Sequence, residues 1–217
     1  MKVIAIIPAR GGSKGIPRKN MINFLGKPLI QWSIDAALTS KIITDVVVSS
    51  EDDEILKYSN TTKDVICLKR PNELALDDSR TEPVLMHAIQ SLKEKKYDYL
   101  ILLQPTSPLR TSKDIDDAFQ KLITAEANSL ISVCGIDHHP YKSFKIDKNG
   151  FLQGIINNDF PFSPRQTLPE IYRANGAIYI IEVKDFMNNG SLFTDKTIHY
   201  KMSKKRSLDI DILEDLK

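Results

Sequence analysis

Residues 6–20 read IIPARGGSKGIPRKN and combine three glycines with four basic side chains and no acidic one. Glycine lets backbone N–H groups approach a ligand closely, and the basic side chains supply charge, so residues 9–20, the opening loop, predict a phosphate site. The spacing matches neither G-x-x-x-x-G-K-[ST] nor G-x-G-x-x-G, which leaves the type of phosphate site open. An ordinary basic surface loop is the alternative interpretation.

A pair of carboxylates near the other end of the chain is the second candidate for chemistry. Asp209 and Asp211 lie two apart in SLDID, and in an extended segment that spacing places both side chains on one face. Mg²⁺ prefers oxygen ligands, usually one or two carboxylates together with phosphates and waters. The pair is therefore compatible with a metal shared with a triphosphate, although D-x-D is also common at solvated strand ends.

The bulk composition limits the class of protein. A net charge of +2 over 217 residues argues against a protein that coats nucleic acid, so we expect no nucleic-acid partner. Cys67 and Cys134 both lie in apolar runs, which predicts buried free thiols and a reducing compartment. No apolar run approaches the ~20 residues that span a bilayer, and no signal peptide is evident, so we expect a cytoplasmic protein without membrane contact.

Short apolar runs alternate with helical patterns and predict the elements that must position these residues. Near-continuous Val, Ile and Leu indicate strands that are covered on both faces. The predicted strands are Val3–Ile7, Asp45–Val48, Val65–Leu68, Tyr99–Leu103, Leu130–Val133 and Ala177–Val183. The predicted helices begin at Pro28, span Glu51–Tyr58, and follow Thr81 and the capping-box pattern at Thr111. The alternation predicts an α/β fold with a doubly wound, mostly parallel sheet.

Two polar loops should meet at one edge of this sheet. The opening loop follows the first strand, residues 104–110 (QPTSPLR) follow the strand Tyr99–Leu103, and Arg70 follows Val65–Leu68. Open α/β sheets bind ligands at the carboxyl ends of their strands, near the point where strand order reverses. The convergence favours a binding site over a basic surface loop.

Residues 136–170 interrupt the alternation with prolines, glycines and short β-like pieces. The run Asp147-Lys-Asn-Gly150 predicts a hairpin turn. We interpret 136–170 as a hairpin-bearing arm of a single domain over 1–217. The aromatic residues Phe151, Phe160 and Phe162 would need a partner surface, so the arm predicts a homodimer.

Six segments taken in order resemble the acylneuraminate cytidylyltransferases, the CMP-sialic acid synthetases and their relatives that activate other nine-carbon keto acids. The segments are IPARGGSKGIPRKN, RPNELALDDSRT, LLQPTSPLR, HHPYKSF, PRQTLPEIYRANGAIYI and SLDID. The resemblance implies a Rossmann-like fold and transfer of CMP from CTP to a nonulosonic acid, with Mg²⁺ as cofactor and pyrophosphate as the second product. The family arm forms the dimer contact and reaches into the neighbour's site.

The resemblance also implies roles for individual residues on the nucleotide side. Arg10 and Lys19 would clamp the triphosphate and, with Asp211, form the catalytic set. Gly12 and Ser13 would offer backbone N–H groups, and Asn20, Arg70, Ser79 and Thr81 would contact the nucleotide. Asp209 and Asp211 would hold the metal, and Asp211 is also a candidate for the base. Whether Lys14 and Arg18 touch phosphate stays open.

On the sugar side the resemblance implies a second set of residues. The predicted sugar-binding residues are Gln104, Lys142, Arg165, Arg173, Asn175, Tyr179 and Phe193. Phe193 belongs to Leu192-Phe193, where many family members carry two aromatic residues. We reject a metal role for His138 and His139, because adjacent histidines point in different directions and no third ligand is suitably spaced.

Three other functions are compatible with parts of the sequence. CMP-Kdo synthetase, another keto-acid cytidylyltransferase, is the alternative enzyme, and YRANGAIYI and SLDID favour the first interpretation. A non-catalytic nucleotide-binding module would be expected to lose Arg10, Lys19, Asp209 or Asp211, and all four are present. An RNA-binding protein fits poorly with the small net charge. Which nine-carbon acid is used stays open.

Overall fold

The structure is a computed structural model that describes residues 1–13 and 15–216. The strands are β1 (Val3–Pro8), β2 (Asn23–Phe24), β3 (Lys27–Pro28), β4 (Asp45–Ser50), β5 (Val65–Lys69), β6 (Tyr99–Leu102), β7 (Ser129–Gly135), β8 (Phe144–Ile146), β9 (Leu152–Gly154), β10 (Tyr172–Glu182) and β11 (Thr197–Lys201). The α-helices are α1 (Leu29–Leu38), α2 (Asp53–Ser59), α3 (Thr81–Ser91), α4 (Ser112–Thr124) and α5 (Val183–Asn189).

Seven strands form the central sheet in the order β11-β7-β10-β6-β1-β4-β5. β1 pairs in parallel with β4 and β6, β4 with β5, and β7 with β11, whereas β10 runs antiparallel between β6 and β7. The predicted mostly parallel α/β sheet is confirmed. The chain moves from β1 to β4 and β5 on one side and then crosses to β6 on the other. The loops after β1 and β6 therefore meet at the switch point.

The apolar runs form strands because both of their faces are buried. Val3, Ile4, Ile6 and Ile7 of β1 are all 0% exposed, with alternate residues packing into two different clusters. One cluster lies beneath α1 and α4, and the other lies beneath α3 and α5. The prediction of burial is thus confirmed for β1, β4 and β6, whereas β5 forms as predicted but is only partly buried at the edge of the sheet. The rigid sheet places the loop after β1 at a defined position.

Helix starts follow their capping residues. The hydroxyl of Thr111 accepts the N–H of Asp114, and the Asp114 carboxylate accepts the N–H of Thr111, so the predicted capping box at α4 is confirmed. Asp52 caps α2 by accepting the N–H groups of Glu54 and Ile55. The predicted start at Glu51 is therefore two residues early, and Glu51 lies in the loop between β4 and α2.

Three features differ from prediction. The strand expected at Ala177–Val183 begins at Tyr172, and the chain then enters α5, whose only fully buried residue is Phe186. β11 was not predicted, because an edge strand with mostly half-buried residues carries a weak pattern. Cys134 is buried as predicted, whereas Cys67, on the edge strand β5, is only partly buried.

The arm contains the predicted hairpin, with β8 and β9 paired around the turn Asp147–Gly150. Gly150 has φ +86°, and the carboxylate of Asp147 accepts the N–H groups of Asn149 and Phe151. Large apolar residues of the arm are exposed: Phe144, Ile146, Phe151, Leu152, Ile155, Ile156 and Phe162. Phe160 differs from the prediction, since it is partly covered by stacking on Tyr141.

Among residues 1–13 and 15–216, no helix has the length and apolar character needed to cross a membrane.

Candidate active site

A cleft of about 390 Å³ lies at the carboxyl ends of β1 and β6. Nine of the predicted site residues line it: Arg10, Ser13, Lys19, Asn20, Arg70, Ser79, Thr81, Gln104 and Asp211. The predicted convergence of the opening loop with the loop after β6 is therefore confirmed. Gly12 is exposed and lies outside this lining, and Lys14 lies outside the described residues.

The two ends of the chain meet in this cleft. Lys19 Nζ lies 2.9 Å from Asp211 Oδ1, although the residues are 192 positions apart. The Lys19 side chain is 15% exposed and that of Asp211 is 69% exposed. Gly15 permits the approach, because a Cβ at this position would lie 2.5 Å from the backbone oxygen of Asp211. A cation and a carboxylate from opposite ends of the sequence thus face one space.

The two arginines of the opening loop have different partners. Arg10 Nη1 donates to Asp77 Oδ1 at 2.9 Å and to the backbone oxygen of Leu76, so its guanidinium lies against the far wall of the cleft. Arg18 turns away and pairs with Asp52 and Glu54 at the start of α2. Arg10 remains a candidate phosphate ligand, and Arg18 does not line the cleft.

Asp209 and Asp211 present unequal carboxylates. Asp209 is partly buried, and its Oδ1 has no hydrogen-bond partner within the described residues. Burial raises the pKa of Asp209, and a hydrogen bond from Thr106 opposes that rise. Asp215 accepts the N–H groups of Asp211 and Ile212, which lowers the pKa of Asp215 and holds the backbone of the pair.

This acidic pair fits a hard divalent cation. An unpartnered, partly buried carboxylate oxygen beside a second carboxylate is the kind of donor that Mg²⁺ takes. Over residues 1–13 and 15–216, no group of three or more His, Cys, Asp or Glu residues gathers to hold a metal. Further ligands would have to come from a phosphate and water, which matches the usual coordination of Mg²⁺.

Several residues that shape the cleft were not assigned by sequence reasoning. Arg110 is buried and donates to the backbone oxygens of Gln104, Ser107 and Ala177, so it ties the loop after β6 to β10. Burial lowers the pKa of Arg110 to about 9, which still leaves it charged at neutral pH. Glu51 is a second such residue and pairs with Arg70. The motif PTSPLR contains Arg110, but no local pattern indicates which carbonyl groups it binds.

Of three further predicted sugar-binding residues, only Gln104 lines the cleft, whereas Tyr179 and Arg173 lie near enough to Asp209 to interact with its charge. Gln104 lines the cleft, and Gly176, with φ +73°, packs so closely that a Cβ there would lie 2.6 Å from Gln104 Oε1. Tyr179 is partly buried, and its pKa is raised by burial and then by the charge of Asp209. Arg173 is exposed, and its charge lowers the pKa of Asp209.

Lys142 and Arg165 line a separate depression on the arm, together with Asp137, His138, His139 and Ser143. Neither Lys142 nor Arg165 lines the cleft of its own chain. His139 Nδ1 accepts the N–H of Tyr141, and its Nε2 lies 3.0 Å from the backbone oxygen of Pro169. Both ring nitrogens are thus engaged, which supports a structural role for this histidine.

The prediction that Asn175 contacts the sugar is wrong for the structure described, because its side chain is wholly internal. Asn175 is 0% exposed, and its Oδ1 accepts from Ser132 Oγ and the N–H of Ala177. Its Nδ2 donates to Ser207 Oγ and Met202 Sδ. The amide satisfies polar groups at an irregularity in the β7–β10 ladder and anchors the segment that carries Asp209.

Replacing Asn175 with alanine should therefore lower the free energy of unfolding by about 1–3 kcal/mol, since buried hydrogen-bonding groups lose their partner. Urea unfolding measures this, with the exposed Asn189→Ala as the matched control. Unchanged stability combined with a raised KM for the sugar would restore the role of a direct sugar ligand.

The prediction for Phe193 is also wrong within one chain. Phe193 is 65% exposed and lines a depression with Asn128 and Asp195, beside the amino end of β7. The cleft lies at the carboxyl ends of the parallel strands, so Phe193 occupies the opposite edge of the sheet. The residues next to Phe193 in the sequence do not indicate at which edge of the sheet it lies.

A parallel α/β sheet with a cationic glycine loop facing an acidic pair at its switch point defines a nucleotide-binding α/β protein. Residues 4–198 match the family model described as Cytidylyltransferase, and the chain belongs to this family. The resemblance inferred from the sequence is thereby confirmed.

Relatives with assigned names extend this comparison. The chain is 33% identical to the N-acylneuraminate cytidylyltransferase of Streptococcus agalactiae serotype III (strain NEM316), over 99% of this chain and 52% of that protein. It is 32% identical to the pseudaminic acid cytidylyltransferase of Campylobacter jejuni serotype O:2, over 100% of this chain and 94% of that protein. The CMP-N,N'-diacetyllegionaminic acid synthase of Legionella pneumophila is 31% identical, over 97% of this chain and 91% of that protein. The chain thus spans about half the length of the streptococcal relatives and nearly all of the other two.

Solved structures share the fold. A CMP:2-keto-3-deoxy-manno-octonic acid synthetase complexed with CTP superposes with a TM-score of 0.72 at 16% identity, over 100% of this chain and 95% of that chain. A 4-diphosphocytidyl-2C-methyl-D-erythritol synthase from Anaerococcus prevotii gives a TM-score of 0.68 at 12% identity, over 99% of this chain and 92% of that chain. At these identities the likeness concerns the fold.

Proposed function

We propose that this protein transfers CMP from CTP to the anomeric hydroxyl of a nonulosonic acid and releases pyrophosphate. The observation that carries the proposal is the meeting of Lys19 and Asp211, 2.9 Å apart, in a cleft that Arg10 also lines. Such a cleft offers basic side chains that could bind a triphosphate, and next to them a carboxylate that could bind a metal ion. The names of the relatives in Streptococcus, Campylobacter and Legionella supply the class of sugar acid.

In the proposed reaction the nucleotide lies along the cleft. Arg10 and Lys19 would bind the phosphates, with Ser13 from the same loop beside them. The base would lie toward Arg70, Ser79 and Thr81. The cleft lining also includes the apolar side chains of Leu74, Leu76 and Val84, which would suit the faces of a planar base.

The acceptor would enter from the side of Gln104, Arg173 and Tyr179. Its anomeric oxygen forms the new bond to the α-phosphorus, while the bond from that phosphorus to the bridging oxygen of the β-phosphate breaks. The hydroxyl proton would pass to Asp211, the more exposed of the two carboxylates. Asp209 and Asp211 are also the residues that would hold Mg²⁺, which when bound would neutralise charge on the pyrophosphate leaving group.

We propose that the protein works as a homodimer in which the arm completes the neighbour's cleft. The arm leaves the sheet after β7 and returns at β10, on the same edge as the cleft. Its exposed apolar residues, Phe162 at 81% among them, call for a covering surface. Lys142 and Arg165, which lie away from their own cleft, would then meet the carboxylate of the sugar acid in the partner's cleft.

Mixing two inactive variants tests this shared site. Lys19→Ala disables a cleft, Lys142→Ala disables an arm, and each homodimer should be nearly inactive. After subunit exchange, each heterodimer should contain one intact cleft facing one intact arm. An equimolar mixture, in which about half of the dimers are heterodimers, should therefore recover roughly a quarter of wild-type activity. Sedimentation at micromolar concentration should show a dimer. A fully active monomer, or no recovery on mixing, would contradict the proposal.

We also propose a cytoplasmic location. Cys67 and Cys134 are free thiols, which suits a reducing compartment, and the proposed substrate CTP is made inside cells.

The direct test of the nucleotide is release of pyrophosphate with CTP, UTP, ATP and GTP at a fixed concentration of sugar acid. We expect CTP to be used far better than the others, because a site that hydrogen-bonds one base leaves polar groups unpaired with another. Comparable kcat/KM for CTP and UTP would contradict the proposal.

A further inference from the structure

Glu51 joins two parts of the cleft that come from distant segments of the chain. Its Oε1 accepts the N–H of Gly11, in the opening loop, at 2.7 Å. Its Oε2 accepts from Nε and Nη2 of Arg70 at 3.1 and 2.8 Å. The side chains of Glu51 and Arg70 are 15% and 3% exposed. One carboxylate therefore binds the opening loop through one oxygen and Arg70 through the other.

The opening loop passes close to the residues around Glu51. A Cβ on Gly11 would lie 2.2 Å from Asp52 Oδ2, so only glycine lets the loop approach this turn. Asn20 braces the same loop from the other side by donating to the backbone oxygen of Arg10 at 2.8 Å. The hydrogen bond from Gly11 to Glu51 thus fixes the loop at the point from which Arg10 extends toward the phosphate end.

Arg70 also lines the cleft, as do Leu74, Ser79 and Thr81. Its Nε and Nη2 are engaged by Glu51, and within the described residues Nη1 makes no hydrogen bond. A guanidinium held by one edge presents its remaining N–H donors in a single direction. Cytosine offers acceptors at N3 and O2, whereas uracil carries a hydrogen on N3. A donor fixed opposite N3 would therefore favour cytosine, whereas a donor at O2 alone would not distinguish the two bases.

We propose that Glu51 is a positioning residue for nucleotide selection, which acts by fixing the opening loop and Arg70 relative to each other. This inference rests on the proposed function. With Glu51 in place, the separation between Gly11 and Arg70 is fixed, and the free edge of the Arg70 guanidinium keeps one orientation. Glu51 itself does not contact the nucleotide.

The chemistry of the side chain suggests a sharp variant. Glu51 accepts hydrogen bonds from Gly11 and from Arg70, and each of these two residues uses a different carboxylate oxygen. Glutamine is nearly the same size but has a single acceptor oxygen. In Glu51→Gln the amide NH₂ must face either the N–H of Gly11 or the guanidinium of Arg70, so one of the two links is lost.

Calorimetric titration of CTP and of UTP into wild type and Glu51→Gln, with Mg²⁺ present, measures the effect. We expect roughly a tenfold loss of CTP affinity and a smaller loss for UTP, so that the preference for CTP narrows. Glu54→Gln, which removes a charge at an exposed side chain paired with Arg18, is the matched control and should bind like wild type. Circular dichroism checks the fold.

A double-mutant cycle shows whether Glu51 acts through Arg70. In an Arg70→Gln background, Glu51→Gln should no longer change the ratio of CTP to UTP affinity. If Glu51→Gln does not fold, Glu51→Asp keeps the charge but shortens the reach, and it should lower CTP affinity by at least about threefold.

The possible results separate the two proposals. A wild-type protein without preference for CTP would overturn the proposed function. A wild-type preference that is unchanged in folded Glu51→Gln, or in Glu51→Asp where that variant is needed, would overturn the role of Glu51 alone.

Discussion

Replacing Asp209 with asparagine should lower kcat by on the order of 10²–10³, because the proposed Mg²⁺ site would lose the carboxylate that lies behind Asp211, although Asp211 is the one of the pair that lines the cleft. The fold should survive. Asp209 Oδ1 is buried without a hydrogen-bond partner among the described residues, so removing its charge should not lower the melting temperature. CTP should still bind, since Arg10 and Lys19 remain to hold the phosphates. Asp211→Asn should give a loss of similar size.

The measurement is kcat as a function of Mg²⁺ concentration, together with Mn²⁺ binding followed by electron paramagnetic resonance in the presence of CTP. Asp195→Asn makes the same chemical change at the opposite edge of the sheet and serves as the control. Wild-type turnover in folded Asp209→Asn and Asp211→Asn would mean that this pair holds no catalytic metal.

Replacing Lys19 with alanine should reduce kcat/KM for CTP by on the order of 10² or more, since a largely buried cation that faces the phosphates would be lost. The Lys19 side chain is 15% exposed, whereas its partner Asp211 is 69% exposed and stays solvated after the change. We therefore expect a small effect on stability and a large one on turnover. Because Asp211 stays hydrated, the change leaves no buried unpaired charge behind.

Steady-state kinetics with CTP, combined with thermal unfolding, tests this expectation. Lys57→Ala, an exposed lysine on α2, is the control for loss of a positive charge. Unchanged kcat/KM in Lys19→Ala would show that the phosphates lie elsewhere. A large fall in melting temperature would show instead that the ion pair with Asp211 is structural.

The parts of the fold that were predictable carry strong local signals. β1 is apolar throughout because it is buried on both faces, and α4 begins at a capping box whose two hydrogen bonds are local. The position of the cleft followed from these elements, since a parallel sheet brings the loops after β1 and β6 together. The edge strand β11 and the short helix α5 bury too little to leave such a pattern.

The candidate site was predictable in its charged residues and not in their partners. Lys19 and Asp211 are recognisable from their motifs, yet their contact depends on how residues 192 positions apart are folded together. Asn175 lies in a motif with exposed neighbours, and only the irregular β7–β10 pairing turns it inward. The sequence predicts Glu51 as the start of a helix, because nothing local links it to Gly11 and Arg70.

The central claim is that this cleft joins CMP to a nine-carbon keto acid. The most direct measurement is mass-spectrometric detection of the product after incubation with CTP, Mg²⁺ and one acid at a time: sialic, legionaminic, pseudaminic or Kdo. We expect a CMP-linked product and equimolar pyrophosphate with at least one of the three nine-carbon acids, formed faster than any product from Kdo. A protein that binds CTP but joins it to none of the three, or that prefers Kdo, would contradict the claim.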